Sequence, residues 1–278
     1  LALKDVNLKV KKGEAWGLIG TNGSGKSTLL KACCGILKPY KGTVTTKGTI
    51  APLIELGAGF DMNMTARENL EVSRLVRDIP GKKCIDEVLD LVGLKDVEKK
   101  KVKNFSLGMR QRLGIANALM GNPKLLILDE PINGLDPMGI IEIRELLKKI
   151  NKEKDMTILI SSHILSELSE LATTYGIISE GKLIEEITSK ELSEKCRQYI
   201  NLKVDDTSRA VTLLERELGI SDYEVLENKN IKVFSNLDNV GAVNSLLSKS
   251  GVIVESINVK GENLEEYFMN TIGGGLNA

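Results

Sequence analysis

Gly20-Thr21-Asn22-Gly23-Ser24-Gly25-Lys26-Ser27 follows the short apolar run Ala15 to Ile19 and opens a helical pattern that runs from Lys26 to about Ile36. The spacing G-x-x-x-x-G-K-[ST] between a strand and a helix is that of a phosphate-binding loop, and the strand-to-helix context is what gives the match its force. Glycines let main-chain N–H groups turn inward around phosphate oxygens. The helix adds its positive N-terminus, and Lys26 can reach the β- and γ-phosphates. Ser27 is suited to hold Mg²⁺, so Gly20 through Thr28 are candidate nucleotide-binding residues.

A second apolar strand, Leu125 to Leu128, ends abruptly in Asp129 and Glu130. Adjacent residues of a strand point to opposite sides, which suits two carboxylates to different tasks. Asp129 can bind a metal through water, while Glu130 can orient or deprotonate an attacking water. From Leu1 to about Ile187, strand-like segments alternate with helical ones, the pattern of a largely parallel sheet covered by helices. The opening LALKDVNLKV alternates apolar and polar residues like a strand, and Lys12-Gly13 reads as a turn.

After Glu186 the rhythm changes. Tyr199 to Val204 reads as a strand and Ser208 to Leu218 as a helix. Tyr223 to Phe234 reads as a hairpin turning near Asn228 to Asn230, Ser235 to Lys249 as a helix and Val252 to Val259 as a strand. This β-α-β-β-α-β order predicts a small two-layer appendage, closed by a helix near Glu262 to Asn270 and a Gly273-Gly274-Gly275 tail. The Lys/Glu run from Lys95 to Lys103 reads as a solvated loop.

The chain has 278 residues, 42% of them hydrophobic and 27% charged, which excludes a disulfide scaffold and intrinsic disorder as the main state. Lys and Arg total 38, as do Asp and Glu, so no global basic field draws the chain to nucleic acid, and no nucleic-acid partner is expected. No apolar run approaches the roughly 20 residues that cross a bilayer, and the N-terminus has no basic region followed by an apolar core; a spanning or secreted chain is not expected. Cys33, Cys34, Cys84 and Cys196 lack C-x-x-C spacing, and His163 is the only histidine, so reduced cysteines in the cytosol are the simplest reading.

With these motifs in order, the chain resembles the ATP-binding subunit of an ABC transporter. Phe105-Ser106-Leu107-Gly108-Met109-Arg110-Gln111 is similar to the family's signature loop, with Leu107 and Met109 departing from its commonest form. Pro131-Ile132-Asn133-Gly134-Leu135-Asp136 is similar to its D-loop, and Ser161-Ser162-His163 after the strand Thr157 to Ile160 to its switch segment. The implied fold is α/β, a P-loop NTPase of ABC type with a helical signature subdomain and a small C-terminal α+β domain. The expected division is 1–187 for the ATPase domain and 188–278 for the accessory domain.

The resemblance also implies roles. Lys26, Glu130 and His163 would be catalytic, with His163 contacting the γ-phosphate and opening a helix from Ile164 to Ala172. Two subunits would form a homodimer around two ATP, each ATP lying between the phosphate loop of one and Ser106 and Gly108 of the other, with Asp136 coupling the sites. Mg²⁺ would be placed by Ser27 and Asp129. Aligning Thr65 to Asn69 puts Glu55 where a glutamine usually contacts Mg²⁺ and the transmembrane partner. The family's adenine-stacking aromatic falls on a strand before Leu1, so either the chain is an N-terminal truncation or adenine is held differently, and Trp16 reads as core filler.

The expected function is ATP hydrolysis that powers a separate membrane permease, at the inner face of the cell membrane, to export a drug, peptide antibiotic or lipid-linked substrate. The segment through Asn69 is similar to subunits that export polysaccharides and teichoic acids, and Asn104 to Glu186 to bacitracin and lantibiotic exporters. Glu55 and the absent adenine platform leave open a nucleotide-binding regulatory subunit with little turnover.

Overall fold

The computed structural model describes residues 2–54, 59–226 and 230–274. The chain divides into two compact units, Leu1–Ser189 with Thr271–Ala278, and Lys190–Asn270.

In the first unit the elements run β1 (Ala15–Ile19), α1 (Lys26–Cys33), β2 (Ile50–Leu53), α2 (Ala66–Val76), α3 (Lys83–Leu91), α4 (Leu107–Leu119), β3 (Leu125–Asp129), α5 (Pro137–Lys154), β4 (Thr157–Ser162), α6 (Leu165–Leu168), β5 (Thr174–Ser179) and β6 (Lys182–Thr188). The sheet order is β2-β3-β4-β1-β5-β6. Every pairing is parallel except β5 with β6. Strands β1, β3 and β4 are apolar along nearly their whole length because helices cover both faces of such a sheet. Ile19 pairs with Ser162 and Asp129 with Ser161, so the C-terminal ends of β1, β3 and β4 lie side by side. That edge, outside the carboxyl ends of parallel strands, is where open α/β sheets bind ligands.

Side-chain size sets the core between β1 and β5. Trp16 is fully buried, and a Cβ on Gly176 of β5 would lie 2.1 Å from its indole, so only glycine fits beside the ring. Trp16 is thus core filler, with Leu29, Leu30, Ile127 and Leu159 packed in the same cluster. Helix α4 buries most of one face and lies close on β2, Gly114 allowing the approach of Leu53. Helix α2 starts with a reciprocal cap: Thr65 Oγ accepts from Glu68 N at 3.2 Å, while Glu68 Oε2 accepts from Thr65 N at 2.7 Å.

Several local expectations need revision. The opening segment alternates in burial, with Leu3, Val6, Leu8 and Val10 packed on the core, yet it forms no strand in the sheet. Helix α1 stops at Cys33 because Gly35, at φ 74°, turns the chain back. The lysine-rich run is not simply a loop: it contains two 3₁₀ turns, Lys95–Val97 and Val102–Asn104, pinned where the fully buried Val102 donates its N–H to Met64 O at 2.9 Å. The helix after His163 covers only Leu165–Leu168. Beyond it, the carbonyls of Leu168, Ser169 and Ala172 face the Tyr175 hydroxyl at 3.1–3.2 Å instead of another helical turn.

The second unit contains β7 (Tyr199–Val204), α8 (Thr207–Leu218), β8 (Tyr223–Val225), β9 (Asn230–Val233), α9 (Val240–Lys249) and β10 (Val254–Lys260), preceded by α7 (Ser189–Lys195) and followed by α10 (Leu264–Gly274). Its antiparallel sheet has the order β10-β7-β9-β8. Ile200, Leu202 and Val204 alternate toward α8 and α9, meeting Leu214, Val243 and Leu247. The predicted β-α-β-β-α-β order is therefore present. Gly273 and Gly274 belong to α10 rather than to a tail, while Gly275 and the hairpin turn at Asn228 lie outside the described residues.

Candidate nucleotide site

The phosphate loop leaves β1 and turns on glycines. Gly23 and Gly25 take φ of 80° and 111°, a region that other residues rarely adopt. Gly20 is tight instead: a Cβ there would lie 2.4 Å from Ser24 Oγ and 2.5 Å from Ile178 O. Around Gly23 there is open space within 4 Å, the room an anion needs to approach the main chain. The Ser24 hydroxyl is buried without a hydrogen-bond partner, and Ser27 is exposed at the start of α1. A glycine-turned loop that leads into a helix N-terminus and carries an orphaned hydroxyl fits a polyphosphate.

Lys26 folds back into this loop and is only 4% exposed. Its ammonium donates to Gly20 O at 2.8 Å and Thr21 O at 3.2 Å, and lies 3.1 Å from Glu130 Oε1. Glu130 is the hub. Its Oε2 accepts from Asn133 Nδ2 at 3.2 Å and contacts His163 Nδ1 at 3.1 Å. An ionised carboxylate only accepts, so Nδ1 carries the proton and Nε2 is left for another partner. Glu130 also sits at φ 45°, an unusual conformation for a non-glycine residue, which ends the strand and swings its side chain to the lysine.

Asp129 points elsewhere. Its Oδ1 accepts from Ser161 Oγ at 2.6 Å, and the same hydroxyl accepts from Glu130 N at 3.0 Å. Ser161 thereby fixes both acids from the neighbouring strand. Among the described residues no group of three or more His, Cys, Asp or Glu could hold a metal, so a cation here would rely on oxygen donors such as Ser27 and Asp129, a set that suits Mg²⁺.

The structure brings Gly20 to Thr28, Asp129, Glu130 and His163 to one edge of the sheet. The remaining candidates lie in a second group: Ser106 caps α4, its Oγ accepting from Met109 N at 3.2 Å, and Asp136 caps α5, its Oδ1 accepting from Gly139 N at 3.0 Å. Leu107 and Leu135 bring these caps together: a Cβ on Gly108 would sit 3.8 Å from Leu135 and one on Gly134 3.5 Å from Leu107. Glu55 lies outside the described residues. Ser161 and Asn133 lie in the switch and D-loop motifs, and their contacts with the acids give them roles that the sequence reading did not assign; a hydroxyl at the polar end of an apolar strand is the signal that could have found Ser161.

The sequence profile of ABC transporters matches residues 3–133. The chain is 44% identical to the bacitracin transport ATP-binding protein BcrA of Bacillus licheniformis, over 97% of this chain and 92% of that protein. It is 44% identical to the lantibiotic transport ATP-binding protein SrtF of Streptococcus pyogenes, over 66% of this chain and 82% of that protein. Among solved structures it resembles the dimeric post-hydrolysis state of the ATP-binding cassette MJ0796 bound to ADP and Pi, with a TM-score of 0.59 and 28% identity over 68% of this chain and 90% of that one. Among the described residues no helix is long and apolar enough to cross a membrane. The chain belongs to the ABC transporter family, as an ATP-binding and ATP-hydrolysing subunit.

Proposed function

We propose that the chain holds Mg-ATP in the loop Gly20 to Thr28, hydrolyses it with Glu130 as general base, and so drives a separate membrane permease from the inner face of the cell membrane. Cargo is a peptide antibiotic; relatives named for bacitracin and lantibiotic transport support that class. The observation that carries the reading is the convergence of Lys26, Asn133 and His163 on the single carboxylate of Glu130.

Phosphoryl transfer is largely positioning and electrostatics. Lys26 lies low in the cradle and exchanges Glu130 and the loop carbonyls for phosphate oxygens. Glu130, released from the ammonium, takes the proton of the attacking water, and Asn133 and His163 fix its carboxylate. His163 faces the γ-phosphate through Nε2, which holds a phosphate oxygen once it too is protonated, because phosphate oxygens, like the Glu130 carboxylate, only accept. Ser27 and Asp129 are the residues that would hold Mg²⁺, which when bound neutralises phosphate charge.

Ser106, Gly108 and Asp136 belong to a second surface, used across a homodimer around two ATP. Its support is the joint packing of the α4 and α5 caps, together with the dimeric cassette among the similar structures. For the permease, an apolar groove of about 900 Å³ lined by Ile36, Leu37, Leu53, Phe60 and Ile79 offers a docking surface, beside the exposed Val72, Leu75 and Val76 of α2. The test is phosphate release by the purified protein and by Glu130→Gln. Turnover that falls by about 100-fold or more supports the assigned base, and parental turnover in the variant rejects it.

A further inference from the structure

His163 projects from a turn with no regular helix or strand of its own, since β4 ends at Ser162 and α6 begins at Leu165. Something must hold that turn if the imidazole is to stay 3.1 Å from Glu130. Ser162 is 1% exposed, and its hydroxyl is doubly engaged: it donates to Glu167 Oε2 at 2.5 Å and accepts from Ile164 N at 3.0 Å. These two contacts bracket His163 from both sides in the chain. The carbonyl of the same serine accepts from Gly20 N at 3.3 Å, so the first residue of the phosphate loop hangs on the residue before the histidine.

At its other end the segment is anchored by the fully buried Tyr175, whose hydroxyl faces the carbonyls of Leu168, Ser169 and Ala172. Burial pushes the Tyr175 phenol up to about 12, so it keeps its proton and the anchor persists at neutral pH. With both ends fixed, the remaining freedom lies in the turn itself, and the Glu167 carboxylate is the group that closes it. A carboxylate accepting from a buried hydroxyl is a short, strong contact. Its loss leaves the Ser162 proton without its acceptor and the turn free to rotate.

We propose that Glu167 is a positioning residue for hydrolysis: through Ser162 it sets the turn that aims His163 at Glu130 and at the γ-phosphate, and it keeps that turn in register with the phosphate loop. This rests on the roles proposed above for Glu130 and His163. Glu167 acts through the Ser162 hydroxyl rather than on the nucleotide itself.

The experiment is steady-state ATP hydrolysis by the full chain and by Glu167→Ala, Glu167→Gln, His163→Ala and the Glu167→Ala/His163→Ala double variant, with Glu130→Gln as a control. Because a displacement near 1 Å can cost about 100-fold, Glu167→Ala is expected to lower kcat by about tenfold or more, with KM for ATP within about twofold of the parent. Glutamine keeps an acceptor oxygen for Ser162 and restores kcat to within about threefold. The double variant is expected to be no slower than His163→Ala, because the two residues act as one unit. Parental kcat in Glu167→Ala, or independent and multiplicative losses in the double variant, overturns the proposal. A parental rate in Glu130→Gln instead overturns the underlying reading of the site, which separates the two failures.

Discussion

The ammonium of Lys26 lies 3.1 Å from Oε1 of Glu130, the lysine 4% and the glutamate 21% exposed. A charge taken so far from water is costly, and a single ion pair with two carbonyl contacts seldom repays that cost in stability. The lysine's place is better understood as preparation for phosphate. Lys26→Met is therefore expected to leave the melting temperature of the nucleotide-free protein unchanged or raised, while Mg-ATP affinity falls by about 10-fold to 100-fold, the worth of one to two charge-assisted hydrogen bonds. Calorimetric titration beside a melting curve reads both; a large loss of stability with affinity intact would contradict the assignment.

Gly176 leaves room for the Trp16 indole, which a methyl group would meet at 2.1 Å. Gly176→Ala is expected to destabilise the first unit by about 1–3 kcal/mol, the usual range for overpacking a core. Urea unfolding followed by the single tryptophan measures this directly, and an unchanged midpoint would show that the ring can move aside.

Glu71 is one of two carboxyls in α2, with Glu68, that are held below their ordinary range and contribute to acid stability. Hydrogen bonding from Arg74 holds the Glu71 carboxyl down to about 2. A carboxylate depressed in the folded protein stabilises it above the unfolded pKa, near 4.3, and that contribution is lost as pH falls through the folded value. Stability should therefore decline between about pH 4.5 and pH 2, and Glu71→Gln should flatten part of that slope. An identical acid profile in the variant would remove Glu71 from the account.

The large features were legible because they are written locally. Gly20 to Ser27 carries its turn in glycine spacing, Leu125 to Glu130 carries a buried strand and its acidic end, and the alternation of Tyr199 to Val204 gave the accessory sheet. What sequence reading could not supply depends on partners distant in the chain. Residues 2–10 alternate like a strand, but burial of Leu3, Val6, Leu8 and Val10 comes without a ladder. The helix after His163 is cut short by Tyr175, a residue from the next strand. Likewise Ser161 joins Asp129 to Glu130 only because β4 lies beside β3 in this register.

Cys34 gives a check on the packing of α1. Burial, with the neighbouring Cys33 adding to it, pushes the Cys34 thiol up to about 11. At pH 8 only about one molecule in a thousand would carry the thiolate, the reactive form, so alkylation of Cys34 should be slow and should accelerate as pH rises toward 11. Mass spectrometry of the labelled peptide across pH measures it; rapid labelling at pH 7 would mean that the end of α1 is open to solvent.

The central claim is that the loop of Gly20 to Ser27, closed by Lys26, binds the phosphate tail. Isothermal calorimetry of the folded protein with ATP, ADP and adenosine, each in the presence of magnesium, tests it most directly. The account predicts measurable binding of ATP and ADP and a loss of at least about 100-fold in affinity for adenosine, since charge-assisted contacts to phosphate supply most of the energy. Equal affinity for adenosine and ATP, or no heat with any of the three, would contradict it.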